Sequence, residues 1–356
     1  MHKISIFFIL ISFFGYSQRS SYSPYSYFGV GETNFSATVE NQMMGGNTAY
    51  YDSVHQNMNN AASMSKLKFV NYSIGVDLKS TSYLSESNNE KSTAAAINYL
   101  SVAIPTNILS FSFGIKPKTS VGYLLENDDQ TLTPSELNRF TGSGGISNAF
   151  VSIGFELFKN WGIGVSSSYA FGNLNHYHTK ILENIELYTR VSSESSVSGL
   201  DYNFSTVYQK TFNNKITLYT SIVYHPEANY KSKNNQSIRT INPNGNFGGD
   251  SELIDLSAIG LNQTNIKIPS TLSFGLGLGE DKKWFFGLNY LKTDEGGFKN
   301  ELMALDNVEF KSSQTLSIGG FYLPKYDSFT NYFKTITYRV GLRYKNGGLY
   351  VNDQQI

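Results

Sequence analysis

The sequence predicts an all-β protein, an antiparallel transmembrane β-barrel that holds an N-terminal segment in its lumen. Two observations carry the barrel. Apolar and polar residues alternate with a period of two in many segments. Charged residues make up only 16% of the chain while aromatics reach 15%, against about 25% charged in a typical soluble domain.

The first element is not part of the fold. Residues 1–17, MHKISIFFILISFFGYS, carry Lys3, an apolar run from Ile4 to Phe14, and small residues at Gly15 and Ser17. This pattern predicts a signal peptide cut near Ser17–Gln18 and an exported protein. Residues 18–66 follow without clear periodicity. They include GGNTAYYDSVHQNMNNAAS at 45–63, rich in amides and nearly free of charge.

Alternation then begins. Val70, Tyr72, Ile74, Val76 and Leu78 alternate with Asn71, Ser73, Gly75 and Asp77. Leu109, Phe111, Phe113 and Ile115 alternate with Ser110, Ser112, Gly114 and Lys116. The same pattern covers Ala149–Leu157, Trp161–Phe171, Leu200–Tyr208, Leu272–Leu278 and Ile336–Tyr344. Further strands are expected near 94–104, 186–197, 215–225, 284–293 and 310–322, about twelve in all. Each is close to the roughly 9–11 residues that cross a bilayer when tilted. Lys159–Asn160 and Asn213–Asn214 read as tight hairpin turns. NHYH at 175–178 and the Asn- and Gly-rich stretch 229–265 read as loops.

A secreted β-sandwich would also alternate. The polar side, however, is mostly Gly, Ser and Asn rather than Lys and Glu, which suits a lumen better than a water-washed face. Hydrocarbon also requires that the sheet close, because an open edge leaves backbone groups unsatisfied. Tyr99, Tyr123, Trp161, Tyr169, Tyr219, Trp284 and Tyr290 fall at strand ends, where aromatic girdles are expected. The domain reading is a signal at 1–17, a lumenal plug at 18–66 and a barrel at 67–356. The polar ending GGLYVNDQQI suggests that the barrel lacks its last strands; closure near residue 345 is the alternative.

Several function classes are disfavoured. The formal net charge is zero, so no nucleic-acid partner is expected. The absence of cysteine removes disulfides, thiolate metal sites and thiol nucleophiles. No GxSxG elbow, P-loop or dinucleotide fingerprint occurs. His176 and His178 could ligate a metal with a nearby carboxylate, but a solvated loop is the plainer reading. No enzyme activity, metal or cofactor is expected.

SPYSYFGVG at 23–31, MMGG at 43–46 and NNAAS at 59–63 are similar, in order, to the start of the outer-membrane long-chain fatty acid transporter (FadL-like) family, in its Bacteroidetes-type form. KPKTSVGY at 116–123 resembles a strand-end phrase of that family. Met44, Gly45 and Gly46 match the family's first element, with Asn47 in place of alanine; Asn60, Ala61 and Ala62 match the second without its proline. The resemblance implies a barrel of about fourteen strands whose plug gates passage of hydrophobic molecules. It implies that Met44, Gly45, Gly46, Asn60 and Ala61 belong to the plug and its gating.

On the polar side of the alternations lie Asp77, Lys116, Glu156, Asp201, Arg339 and Arg343. They are expected to pair with one another or with the plug, since unpaired charges in a narrow lumen are costly. Arg339 or Arg343 could instead meet a carboxylate ligand. The expected location is the cell outer membrane, with lipid as a partner. The leading expectation is transport of small, fatty-acid-like hydrophobic molecules, which calls for a dry apolar pocket near residues 43–62. The alternative is an accessory barrel of a larger outer-membrane secretion or assembly complex, which calls for a fully packed lumen.

Overall fold

The computed structural model describes residues 23–84, 89–213, 215–302 and 307–356. The signal at 1–17 and Asn214 of the predicted turn lie outside the described residues. The strands are β1 (Glu32–Thr33), β2 (Asn71–Leu84), β3 (Asn89–Pro105), β4 (Leu109–Asp129), β5 (Glu136–Phe158), β6 (Trp161–Leu182), β7 (Tyr188–Thr211), β8 (Ile216–His225), β9 (Ala228–Ile241) and β10 (Phe247–Ile254). They continue as β11 (Gln263–Ile268), β12 (Thr271–Glu280), β13 (Trp284–Thr293), β14 (Lys299–Asn300), β15 (Val308–Phe310), β16 (Ser313–Tyr322), β17 (Tyr338–Asn346), β18 (Leu349–Val351) and β19 (Gln354–Gln355). One short helix, α1 (Val39–Gln42), and two 3-10 turns at Pro24–Tyr27 and Ala61–Lys66 precede β2.

Sixteen strands form one sheet, whose main path runs β17-β16-β13-β12-β8-β7-β6-β5-β4-β3-β2. Neighbours along it pair antiparallel, as in β12 with β13 from Thr271↔Thr293 to Glu280↔Trp284. β9 continues the line of β8 and pairs the upper half of β7; β11 likewise pairs β9. This is the outer-membrane β-barrel fold. No helix among the described residues is long and apolar enough to cross a membrane.

The wall has two sides because strand side chains alternate. Phe111, Phe113, Val151, Val165, Phe204, Phe274 and Leu288 are exposed, as a lipid-facing band requires. Their neighbours Ser112, Ser152, Ser205, Ser273 and Asn289 are buried inside. The connections 106–108, 159–160 and 281–283 are short, which identifies that end as periplasmic. In the turn at 159–160, Asn160 takes φ 69°, a left-handed conformation that asparagine tolerates.

β4 to β7 run 21, 23, 22 and 24 residues, about twice what a crossing needs. Their outer halves therefore rise beyond the bilayer. This corrects two sequence expectations. His176 and His178 lie within β6, where His176 is buried with Nδ1 2.7 Å from the Tyr123 hydroxyl, and His178 stacks on Phe140. The stretch 229–265 is largely β9, β10 and β11. Outside the lipid band polar residues suit both faces, so alternation fades there.

Three expected girdle aromatics point inward instead: Tyr99, Tyr123 and Tyr219 are 3%, 4% and 5% exposed. Register irregularities at Gly75/Val76 and at Pro117/Thr119 shift the facing around Tyr99 and Tyr123. Tyr219 shares the inward parity of Ser221 and Val223. Trp161, Tyr169 and Tyr290 are exposed on the outer face.

Candidate functional site

The site is the seat of residues 23–66 against the inward face of the wall. Its local folding follows from the residues noted in the sequence. α1 ends at two glycines: Gly45 N donates to Gln42 O at 2.9 Å and Gly46 N to Asn41 O at 2.8 Å. Gly45 and Gly46 take φ 73° and 78°, a region that costs an L-residue about 1–2 kcal/mol. The glycines turn the chain back onto the wall.

The amides then fold the segment upon itself. Asn47 Oδ1 accepts from Ala49 N at 2.8 Å and from Tyr50 N at 3.3 Å. Asn57 Oδ1 accepts from Asn59 N at 3.1 Å. Both are Asx turns. Asn41 and Asn57 donate to Asn47 O at 2.8 and 3.2 Å, and Asn60 donates to Thr48 O at 2.8 Å. Asn47 and Asn60 are fully buried. A buried amide left unpaired costs about 1–3 kcal/mol, so these internal bonds allow irregular chain to occupy the interior.

Other bonds tie the segment to the wall. Thr48 Oγ1 donates to Asn289 Oδ1 of β13 at 2.6 Å and lies 2.9 Å from Ser221 Oγ of β8. Ala62 N donates to Ser205 Oγ of β7 at 2.9 Å, and Val39 N to the Tyr99 hydroxyl of β3 at 3.0 Å. Lys66 pairs with Glu156 of β5 at 2.7 Å. Where backbone meets wall, the wall carries glycine. A β-carbon on Gly319 would fall inside the Met44 carbonyl, and one on Gly154 inside the Ala61 carbonyl. Without the proline, NNAAS enters the 3-10 turn Ala61–Lys66, whose two alanines fit this approach.

Two buried apolar clusters lie in the lumen among the described residues. Toward the periplasm, Met44, Ala49, Tyr51 and Ala62 pack on Val207, Tyr219 and Phe285. Toward the outside, Val30, Val121, Ile146, Leu174, Val197, Tyr230 and Ile266 form a second buried cluster. The dry pocket expected near residues 43–62 is therefore occupied, among the described residues, by the segment's own side chains. An apolar groove of about 370 Å³ lined by Ile153, Phe155, Ile163, Val165 and Phe204 runs along the wall's lipid-facing strand positions.

The sequence-selected residues are distributed as follows. Met44, Gly45, Gly46, Asn60 and Ala61 all lie at this seat. Lys116 reaches Asn59 Oδ1 at 3.4 Å and lies over the Phe150 ring. The Arg343 guanidinium stacks 4.0 Å from the centroid of Phe35. The buried Arg339 Nε has no hydrogen-bond acceptor among the described residues. Asp77 is half-buried on β2 and enters no ion pair among the described residues. Asp201 pairs with Lys118 at 2.6 Å, sits 3.5 Å from His225 and accepts from the Tyr230 hydroxyl. Sequence reading missed Lys118, Asn289 and Ser221, which alternation places inside without naming their partners.

The segment also enters the wall itself. β3 pairs with β4 only from Leu100↔Ile115 to Pro105↔Ser110, while β4 stays paired with β5 as far as Asp129↔Glu136. Above Leu100 the two strands part. There β1 pairs with β4 through Glu32↔Ser120 and Thr33↔Thr119, and Lys79 of β2 reaches Glu32 at 2.9 Å.

In the segment, outside the spanning strands, Asp52 and His55 form a pair with His55 Nδ1 2.7 Å from Asp52 Oδ2. The hydrogen bond to Asp52 raises the His55 pKa above its ordinary value against the opposing effect of burial. Burial pushes the Asp52 carboxyl up, but the His55 side chain and the Val54 and His55 amides outweigh it and hold it down. Among the described residues no group of His, Asp and Glu side chains is arranged to hold a metal.

Solved structures share this fold at low identity. The CymD monoaromatic hydrocarbon channel matches at 14% identity and TM-score 0.55, covering 87% of this chain and 84% of that one. A FadL homologue of Pseudomonas aeruginosa matches at 12% and 0.55, covering 90% and 82%. The Pseudomonas putida toluene transporter TodX matches at 14% and 0.51, covering 89% and 85%. The FadL-like resemblance thus holds for the fold. No curated protein matches by sequence. The BamG family model matches residues 1–356, and the chain is a member of the BamG family.

Proposed function

We propose that this chain is an accessory barrel of an outer-membrane secretion or protein-assembly complex, with its lumen shut by the N-terminal plug. The observation that carries this reading is the seat: plug backbone lies against wall glycines, plug amides bond to one another, and Thr48, Ala62 and Val39 bond to Asn289, Ser205 and Tyr99 of the wall. Opening such a lumen means breaking several buried hydrogen bonds at once, each leaving a group that costs about 1–3 kcal/mol unpaired. A barrel closed in this way contributes its outer surface and loops rather than a passage. Purification in mild detergent with protein and lipid analysis tests it. A complex of fixed stoichiometry without lumenal lipid is expected; an isolated barrel carrying an apolar ligand would contradict it.

A second reading is uptake of small hydrophobic molecules, fatty-acid-like or aromatic. It is favoured by the parting of β3 from β4, bridged only by β1 and the Lys79–Glu32 pair, and by the fold shared with hydrocarbon channels. In this reading release of β1 would open a side passage. SPYSYFGVG and MMGG support a Bacteroidetes-type origin.

A further inference from the structure

The connection between β16 and β17 does not match the others at its end of the barrel. Tyr322 pairs with Trp284, and Leu323 N donates to Lys283 O at 2.6 Å. Residues 323–337 therefore leave the wall on the periplasmic side, beside the turn 281–283. Periplasmic turns of such barrels are short, as are 106–108 and 159–160 here. This one is several times longer.

It is also aromatic and uncovered. Tyr326, Phe329, Tyr332 and Phe333 are 61%, 99%, 76% and 69% exposed. The loop is built rather than slack. Lys325 N donates to Lys334 O at 2.8 Å across its two arms. Asn331 Oδ1 accepts from Phe333 N at 3.0 Å, and the Tyr338 hydroxyl donates to Phe333 O at 3.1 Å. Lys325 and Lys334 form no ion pair among the described residues. A fixed set of exposed rings, two of them tyrosines, offers the aromatic anchors that protein interfaces favour, and the two lysines stand at its rim.

A lipid surface is the other candidate for covering the rings. The fifteen residues 323–337 stand where the neighbouring turns 106–108, 159–160 and 281–283 have three, two and three. Their arms are tied by Lys325 N to Lys334 O, and the rings lie beside two lysines whose charge a carboxylate-rimmed protein surface would complement, which favours a protein.

We infer that residues 323–337 dock onto the periplasmic domain of a partner subunit, offering Tyr326, Phe329, Tyr332 and Phe333 to an apolar surface rimmed by carboxylates that face Lys325 and Lys334. The inference rests on the accessory-barrel reading and adds the surface and chemistry of the partner.

The test uses the full chain in its native membrane, with the photoreactive residue benzoylphenylalanine in place of Phe329 and, as a control, in place of lipid-facing Leu276. Position 329 is expected to give one discrete protein adduct, mapped by mass spectrometry to an apolar surface with neighbouring Asp or Glu; position 276 gives lipid adducts and no discrete protein adduct. Lys325→Glu with Lys334→Glu, a change at exposed positions, is expected to reduce that adduct at least tenfold while the barrel keeps its heat-dependent gel migration. Phe329→Ser with Tyr332→Ser should reduce recovery of the complex to a similar degree. An adduct to lipid alone would make the loop a membrane anchor and overturn the inference. Undiminished complex in both double variants would overturn it while leaving the accessory-barrel reading standing. No complex in the unaltered protein would remove both.

Discussion

Thr48 and Asn289 are 241 residues apart in sequence, yet Asn289 Oδ1 accepts both the Thr48 hydroxyl at 2.6 Å and the Thr48 amide at 3.3 Å. One wall side chain thus fixes the plug at the point where the chain leaves its glycine turn. Asn289 also accepts from Ser273 Oγ at 3.2 Å, so its orientation is held from the wall side.

Asn289→Ala removes the acceptor and leaves the Thr48 groups buried without it. The expected destabilisation is about 1–3 kcal/mol. Hydrogen exchange should locate it, with faster exchange at residues 47–50 and little change in β5 or β6. A uniform change across the wall would mean that Asn289 supports the sheet rather than the plug.

Gly319→Val tests the close approach. The added side chain collides with the Met44 carbonyl, and the plug turn at 43–46 must move away. The barrel is expected to fold, because this strand is otherwise undisturbed, but to show ion-conducting steps in planar bilayers. Silent bilayers would show that the turn can shift without opening the lumen.

The Asp201–Lys118 pair is nearly dry, with Asp201 only 3% exposed. Asp201→Ala leaves the half-buried Lys118 with only Tyr230 as partner and should cost about 1–3 kcal/mol, while replacing both partners with apolar residues should recover most of that. Denaturant unfolding in vesicles of the two single variants and the double variant measures the coupling.

The Asp52–His55 pair gives a pH signature. The His55 pKa is raised on folding, so its contribution is fully present below the ordinary value of about 6.5 and is lost as pH rises through the raised value. The Asp52 pKa is lowered, so its contribution is present above its ordinary value of about 3.9 and is lost at lower pH. The plug should be most protected between about pH 5 and 6 and looser at pH 8.5. His55→Ala should flatten the difference in exchange rates between those two conditions.

The sequence showed the wall more clearly than the contents of the lumen, for a physical reason. Lipid accepts only apolar side chains, so Val151, Ile153 and Phe155 mark their strand without reference to any partner. Above the bilayer that pressure ends, and β9 from Ala228 to Ile241 reads as polar loop. Single-residue register shifts hid the inward turn of Tyr99 and Tyr123, because facing depends on parity. Gly45 and Gly46 were legible as a turn, since few other residues take that backbone. Thr48 and Asn289 were not legible as a pair, because nothing local to either one encodes a contact 241 residues away. NNAAS was legible only in part. Its alanines answer to Gly154 and Gly164 on a wall not yet built when that segment is read.

Flux reports whether the plug closes the lumen. Purified full-length protein in lipid vesicles, given labelled toluene or a labelled long-chain fatty acid outside, should admit neither faster than protein-free vesicles. A variant lacking residues 24–66 should conduct ions. Saturable uptake of either compound by the unaltered protein would show an open passage and establish the hydrophobic-transport reading in place of the accessory barrel.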